Sequence, residues 1–325
     1  MFIIVKINFS KKPYLYNLSK RVINSKIKIL NKKGWIIQLE NEKNIIGYGE
    51  VSPLKSEHLA LCEKQLDKIP KQINENTISN EICRLHPCIQ SAVNIALGEI
   101  RSILKYQNNY DFDDIHKTAI LVDSNNILDE LNNLKKDKTL VNKEITLKWK
   151  VGTLARESEE QILEKILSEI NNKVKLRIDA NGSWDRNYAN RWAEMLRDNI
   201  NLDWLEQPLA EDDLEGLKEL EKKIPVALDE SIIKYPDLTK EWKGWQIRRP
   251  SQEINPLILL KELQEKKGLR IISTSFETGI GMRVLNHFSS IQQTGPTPKV
   301  PGLALRNFPK TILFSKNPND IWKYL

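Results

Sequence analysis

From about residue 117 to residue 303 the chain repeats one rhythm, a short apolar run followed by a helical segment, at intervals of roughly 20 to 30 residues. The runs predicted as strands are 117–122, 144–151, 174–180, 202–206, 225–229, 245–249, 269–274 and a weak eighth at 298–303. Helices are expected over 155–171, 186–199, 211–222, 255–267 and 280–293, with an irregular helical stretch at 123–143 and a short one between Ile232 and Lys243. Parallel strands need such crossovers, because a tight hairpin can only reverse the chain. Eight strands suffice to close a sheet on itself, so the expected fold is α/β, a (β/α)8-type barrel or a (β/α)7β variant lacking one helix. An open doubly wound sheet would carry a glycine-rich turn after its first strand; neither that turn nor a Walker phosphate loop occurs.

Residues before about 109 read differently. Strands are expected over 2–9, 34–40 and 44–51 and amphipathic helices over 56–68 and 88–105, an α+β layout, and a polar stretch at 105–114 separates it from the barrel. At 325 residues the chain can hold a barrel and a small companion domain. Its 50 basic and 43 acidic residues give a net charge of +7. The lysines are spread along the chain, in pairs such as Lys135 and Lys136, which describes a solvated basic surface rather than a nucleic-acid module. Three cysteines exclude a disulfide framework and suit a reducing cytoplasm. His58, Cys62, Cys83, His86 and Cys88 match no common zinc spacing, so packing is expected of them. The apolar run Met1–Val5 is broken by Lys6 and lacks a small-residue cleavage site, so it reads as a strand rather than a signal peptide. No apolar stretch approaches the length of a membrane span.

The chemistry lies at the strand ends. In a barrel, residues distant in sequence converge only where strands end at the carboxyl face. The second predicted strand runs Leu147, Lys148, Trp149, Lys150, and its period-two pleat aims both lysines at one side. The next three strands close on Asp179, Glu206 and Asp229. Three converging carboxylates cannot all stay ionised without a cation between them, and an all-oxygen set suits Mg²⁺. The sixth strand ends Arg248, Arg249, Pro250, opposite the lysine pair in a ring of eight. A divalent ion between a lysine on one wall and a guanidinium on the other suits removal of a proton beside a carboxylate.

The runs LKWKVG, RIDANGSW, LEQPL and ALDES, in this order and spacing, resemble the barrel of the enolase superfamily, in particular its muconate-lactonizing subgroup. GYGEVSPL at 47–54 resembles the substrate-facing loop of the family's capping domain, ISTSFETGIG at 272–281 its seventh strand and VPGLAL at 300–305 its eighth. The resemblance implies a capping domain over 1–109, the barrel over 110–305 and a tail over 306–325 that packs back on the cap. It implies that Asp179, Glu206 and Asp229 bind Mg²⁺, or Mn²⁺ in its place, and that Lys150 is the general acid/base. Lys148 would hold the pKa of Lys150 down and touch the substrate carboxylate, and Asn181 and Glu230 would support the ligands from behind. Ser273, Thr274, Ser275 and the backbone at Gly302 would line the substrate pocket. Arg177, two residues before Asp179, would contact the substrate or a ligand, its other reading being an ion pair inside the barrel.

Pro301–Leu303 and the SPL ending at Leu54 look most like the subgroup's dehydratase branch, carbon-oxygen lyases that act on a small carboxylate in menaquinone and phylloquinone synthesis. One departure separates the alternatives. The family usually has lysine before the proline of strand six, and this chain has Arg249, which does not release a proton near neutrality. Arg248 and Arg249 face opposite sides of the strand, and the family pattern points to Arg249. N-acylamino acid racemases and dipeptide epimerases need an acid/base on both faces; a syn dehydration needs one, with an opposing cation for the developing charge. A non-catalytic basic binding protein on the same barrel is the alternative from another class.

Overall fold

A computed structural model of the protein, describing residues 6–23, 25–26, 28–106, 117–137 and 143–325, starts with a long hairpin. Its strands are β1 (Lys6–Ile23) and β2 (Lys28–Asn41), followed by β3 (Ile46–Val51), α1 (Glu57–Leu66), β4 (Gln72–Asn74), α2 (Ile78–Ile82) and α3 (Pro87–Ile100). The sheet is antiparallel with the order β3-β2-β1-β4. Both of its faces are covered. Ile7, Phe9, Trp35, Ile37 and Leu39 pack on α1 and α3, whereas Tyr14, Tyr16, Ile36 and Tyr48 meet Phe276, Ile280, Leu313 and Ile321 from the far end of the chain.

The strand expected over 44–51 is Ile46–Val51, but within the long hairpin the sequence predicts strand only over 2–9 and 34–40. Residues 2–5 lie outside the described residues, and 10–23 and 28–33 are strand as well. That stretch is rich in lysine and asparagine and contains Pro13, so its apolar pattern is broken; partner strands and the second buried face hold it extended. Two glycines of β3 allow close packing. A Cβ on Gly47 or Gly49 would stand well inside van der Waals contact with the carbonyl oxygens of Ala96 and Ala92, so the backbone of α3 lies directly on the strand. Gly49→Ala is expected to destabilise the fold by about 1–3 kcal/mol through overpacking, read as a lowered Tm; an unchanged Tm would contradict this packing.

Seven parallel strands follow, hydrogen-bonded in chain order: β5 (Ile120–Asp123), β6 (Ile145–Lys150), β7 (Val174–Asp179), β8 (Leu202–Glu206), β9 (Val226–Leu228), β10 (Trp245–Arg248) and β11 (Arg270–Ile272). Between them run α4 (Ile127–Lys136), α5 (Arg156–Glu169), α6 (Arg186–Leu196), α7 (Leu214–Glu221), the short α8 (Glu230–Lys234) and α9 (Leu238–Glu241), and α10 (Pro256–Gln264). After β11 comes α11 (Gly279–Gln293). Local signals start these helices: Asp185 accepts from Tyr188 N, Asp213 from Gly216 N and Thr278 from Ile280 N, and Pro256 stands in the first turn of α10.

The expected eighth strand at 298–303 is reduced to one bridge, which still closes the ring. Gly302 N donates to Ile272 O at 2.8 Å, Thr274 N to Gly302 O at 3.0 Å and Ala119 N to Pro301 O at 2.8 Å. A 3-10 turn at Leu305–Asn307 follows instead of a barrel helix, and the fold is the (β/α)7β form. The last helix, α12 (Pro318–Tyr324), meets the hairpin sheet: Lys12 donates to Trp322 O at 2.7 Å and the Tyr48 hydroxyl to Asn319 Oδ1 at 2.8 Å. Most of the polar stretch at 105–114, and residues 138–142 of the irregular segment, lie outside the described residues.

Candidate active site

Parallel register lines up the strand ends. Lys150 pairs with Asp179 across β6 and β7, Asp179 with Glu206 across β7 and β8, and Glu206 with Ala227, two residues before Asp229. The pleat then places Trp204, Ala227 and Ile247 two residues below Glu206, Asp229 and Arg249. Trp204, Ala227, Ile247 and Ile271 pack together as a buried apolar cluster, a dry floor beneath the charged layer. Beyond the strand ends the backbone turns through the left-handed region at Asn181 (φ 50°), Gly182 (φ 68°) and Gln207 (φ 39°), conformations that suit glycine and, less well, asparagine.

The charged layer is a network. Lys148 Nζ lies 2.5 Å from Glu206 Oε1 and 2.9 Å from Asp179 Oδ2. Lys150 pairs with Asp179 and donates to Asn181 Oδ1 at 3.1 Å. Arg249 grips Asp229 with two bonds, Nε to Oδ1 at 2.9 Å and Nη2 to Oδ2 at 2.5 Å, and also donates to Thr274 O. Asn181 Nδ2 donates to Glu230 Oε1 at 2.9 Å, while the buried Glu230 Oε2 has no partner among the described residues.

Four carboxyl groups thus face three basic ones. Burial, reinforced by the charge of Asp179, pushes the Glu206 carboxyl up to about 8, and burial with Asp229 pushes Glu230 up to about 7. Burial acts on Asp179 in the same direction, but Lys148 and Lys150 outweigh it and hold that carboxyl well below the usual range. Asp179 and Glu206 in turn hold the Lys148 ammonium above the usual lysine range, against burial. Among the described residues no three acidic, imidazole or thiol groups converge on one ion-sized point; Lys148 bridges Asp179 and Glu206, Lys150 pairs with Asp179 and Arg249 with Asp229. The donor set nevertheless fits a hard cation: all oxygen, acidic in excess, with one buried carboxylate oxygen unpartnered.

Above this layer opens a cavity of about 490 Å³. Lys148, Lys150, Asn181, Asp229, Glu230, Arg249, Ser273, Thr274 and Gly302 reach its wall from the barrel. The hairpin sheet adds Val22, Lys26 and Ile29, and the segment after β3 adds Leu54, Lys55 and His58. Phe276 and Ala304 form apolar wall with left-handed backbone (φ 61° and 52°), Phe276 held by a 2.7 Å bond from the Tyr16 hydroxyl to its carbonyl.

The two arginines of strand six separate cleanly. Arg248 turns outward to Glu253 and Glu262, and Arg249 turns into the cavity. The structure corrects the placement of Arg177 as a substrate contact: its Nε bonds Asp203 Oδ2 at 3.0 Å and its guanidinium stacks on Trp204, so it belongs to the barrel interior below the cavity. Ser275 is likewise outside the cavity wall, its hydroxyl accepting from Gln252 Nε2 at 3.1 Å between barrel and cap. Cys62 and Cys88 are buried free thiols, Cys83 is exposed, and His86 caps α3 by accepting from Cys88 N. Leu54, the last residue of the loop expected to face the substrate, lines this wall, whereas the contributions of Val22, Ile29, His58 and Gln252 have no signal in the sequence.

With this geometry in hand, comparison with known proteins gives a class. Residues 140–241 match the Enolase C-terminal domain-like family. The fold is that of the enolase-superfamily barrel enzymes: the Mg-complexed o-succinylbenzoate synthase of Thermosynechococcus elongatus BP-1 superposes with a TM-score of 0.74, covering 98% of this chain and 100% of that one at 22% identity. In sequence, too, the chain resembles o-succinylbenzoate synthase. The enzyme of Thermosynechococcus vestitus is 28% identical over 228 residues, 66% of each chain. The N-succinyl-L-Arg/Lys racemase of Bacillus cereus is 24% identical over 61% of this chain and 58% of its own length. The chain thus spans less than two thirds of these two relatives in alignment.

Proposed function

We propose that the protein is a Mg²⁺-dependent lyase, an o-succinylbenzoate synthase that dehydrates 2-succinyl-6-hydroxy-2,4-cyclohexadiene-1-carboxylate in the cytoplasm for menaquinone or phylloquinone synthesis. Among the described residues no helix is long and apolar enough to cross a membrane. The observation that carries the reading is Arg249 in the cavity wall, with Lys148 and Lys150 also reaching it. The guanidinium keeps its proton near neutrality, so the proton transfer falls to a lysine. Lys150 removes the proton beside the substrate carboxylate and returns it to the hydroxyl leaving from the same face. Lys148 adds positive charge next to it, facing the substrate carboxylate. Arg249 stabilises the negative charge that develops and offers a flat cation to the ring. Asp179, Glu206 and Asp229 would hold Mg²⁺, which when bound neutralises charge on the substrate carboxylate. Asn181 orients Asp179 through its N–H and Glu230 supports Asn181 in turn, and Ser273, Thr274 and Gly302 line the pocket.

The direct test is the ultraviolet change on aromatisation, followed with and without Mg²⁺; folded, metal-supplied protein without turnover would reject the reading. A racemase or epimerase is the second reading, favoured by relatives that include the racemase above and hydrophobic dipeptide epimerases. In deuterated solvent, N-succinylamino acids are expected to exchange their α-proton from one enantiomer only. Exchange from both would overturn the one-base mechanism.

A further inference from the structure

Three lysines are buried among the described residues, and two of them are Lys148 and Lys150 of the barrel mouth. The third, Lys32 on β2, is 4% exposed and lies outside the charged layer. Its ammonium makes no carboxylate pair among the described residues; it donates instead to two main-chain carbonyls, Pro53 O at 2.6 Å and Ser52 O at 3.3 Å. The ionisable groups around it are Glu277, Cys88, Glu50 and Arg249, from four different segments, and burial takes its pKa down to about 8 against the pull of Glu277. A buried ammonium without an ion pair is a poor way to hold a hairpin together, because an apolar side chain of similar length would avoid the desolvation.

What the ammonium does hold is the segment that follows β3. Ser52 and Pro53 immediately precede Leu54 and Lys55, which line the cavity. Ser52 is also pinned from the barrel side: Gln252 Nε2 donates to Ser52 O at 2.7 Å and Ser52 Oγ to Ser275 O at 3.3 Å. Lys32 is the only one of these pins that comes from the hairpin sheet and carries a charge. We infer that Lys32 is a positioning residue for substrate selection, clamping residues 52–55 so that Leu54 and Lys55 form a fixed wall of the cavity.

The inference rests on the lyase reading of that cavity only for its ligand. Lys32→Met and Lys32→Gln are compared with the unaltered protein in two measurements. Hydrogen exchange of the peptide spanning 52–56 is expected to accelerate at least tenfold in Lys32→Met, less in Lys32→Gln, which keeps an N–H donor, while peptides of the barrel strands and the Tm stay unchanged. KM for the cyclohexadiene carboxylate is expected to rise at least tenfold in Lys32→Met with kcat within threefold. Unchanged exchange at 52–56 overturns the clamp, and loosened exchange with unchanged KM overturns its role in selection. Equal losses in kcat and Tm would mark a merely structural residue and overturn it too. If the unaltered protein turns over no substrate, the lyase reading fails by itself and the exchange result alone decides the clamp. Should Lys32→Met not fold, Lys32→Gln carries both measurements.

Discussion

Lys150→Ala is expected to lower turnover by about 10²–10⁴-fold, the usual contribution of a positioned general base. Lys148 is no substitute, because it is held between Asp179 and Glu206 with its pKa raised, so its proton is bound too tightly for it to act as a base. Arg249 is no substitute either, since a guanidinium keeps its proton. The fold should tolerate the change, because Asp179 retains Lys148 as a partner and Asn181 N as a donor at 3.0 Å. Initial rates of aromatisation, with an unchanged circular dichroism spectrum as control, check the expectation. A variant within tenfold of the original rate would remove Lys150 from the proton transfer.

Glu206→Gln is expected to lower turnover by about 10³-fold, the rate equivalent of the several kcal/mol that a bound divalent ion contributes to charge stabilisation. Glu206 is the middle carboxylate, paired in register with Asp179 and sharing Lys148 with it. An amide of the same shape keeps the packing over Trp204 but withdraws an anionic oxygen from the set. Stability should suffer little, since burial already disfavours the ionised form of this side chain. Glu206→Ala is different: it removes one of the two carboxyl partners of the buried Lys148 and leaves a cavity over Trp204, so its Tm is expected to fall where that of Glu206→Gln does not. Calorimetric titration with MgCl₂ separates the effects, with affinity lost and Tm kept in Glu206→Gln. Full Mg²⁺ affinity in that variant would contradict the assignment of Glu206 as a ligand.

The charged layer was legible in sequence because each part of it is a local signal. A strand has period two, so Lys148 and Lys150 had to share a face, and an acid at the end of each of three successive strands needed no knowledge of the helices between them. The register that brings Lys150 beside Asp179 and Asp179 beside Glu206 follows from regular parallel pairing. The same logic fell short at strand six, where two consecutive arginines differ only in parity, and at Arg177, where an inward-facing residue could reach up to the ligands or sideways to Asp203.

By itself, then, the amino-acid order determined the barrel, the end of it where the charged side chains gather, and the kinds of side chain found there, since all of these are set within a few residues of each strand. Only the tertiary structure decided that Arg249 rather than Arg248 faces the cavity, and that Arg177 is sealed under it. It also decided that the hairpin's Val22 and Ile29 meet barrel residues more than a hundred positions away, and that the Lys32 ammonium holds the carbonyl of Pro53. The physical reason is that docking one sheet onto the barrel mouth depends on which of many possible surfaces fit together, and that fit has no period along the chain.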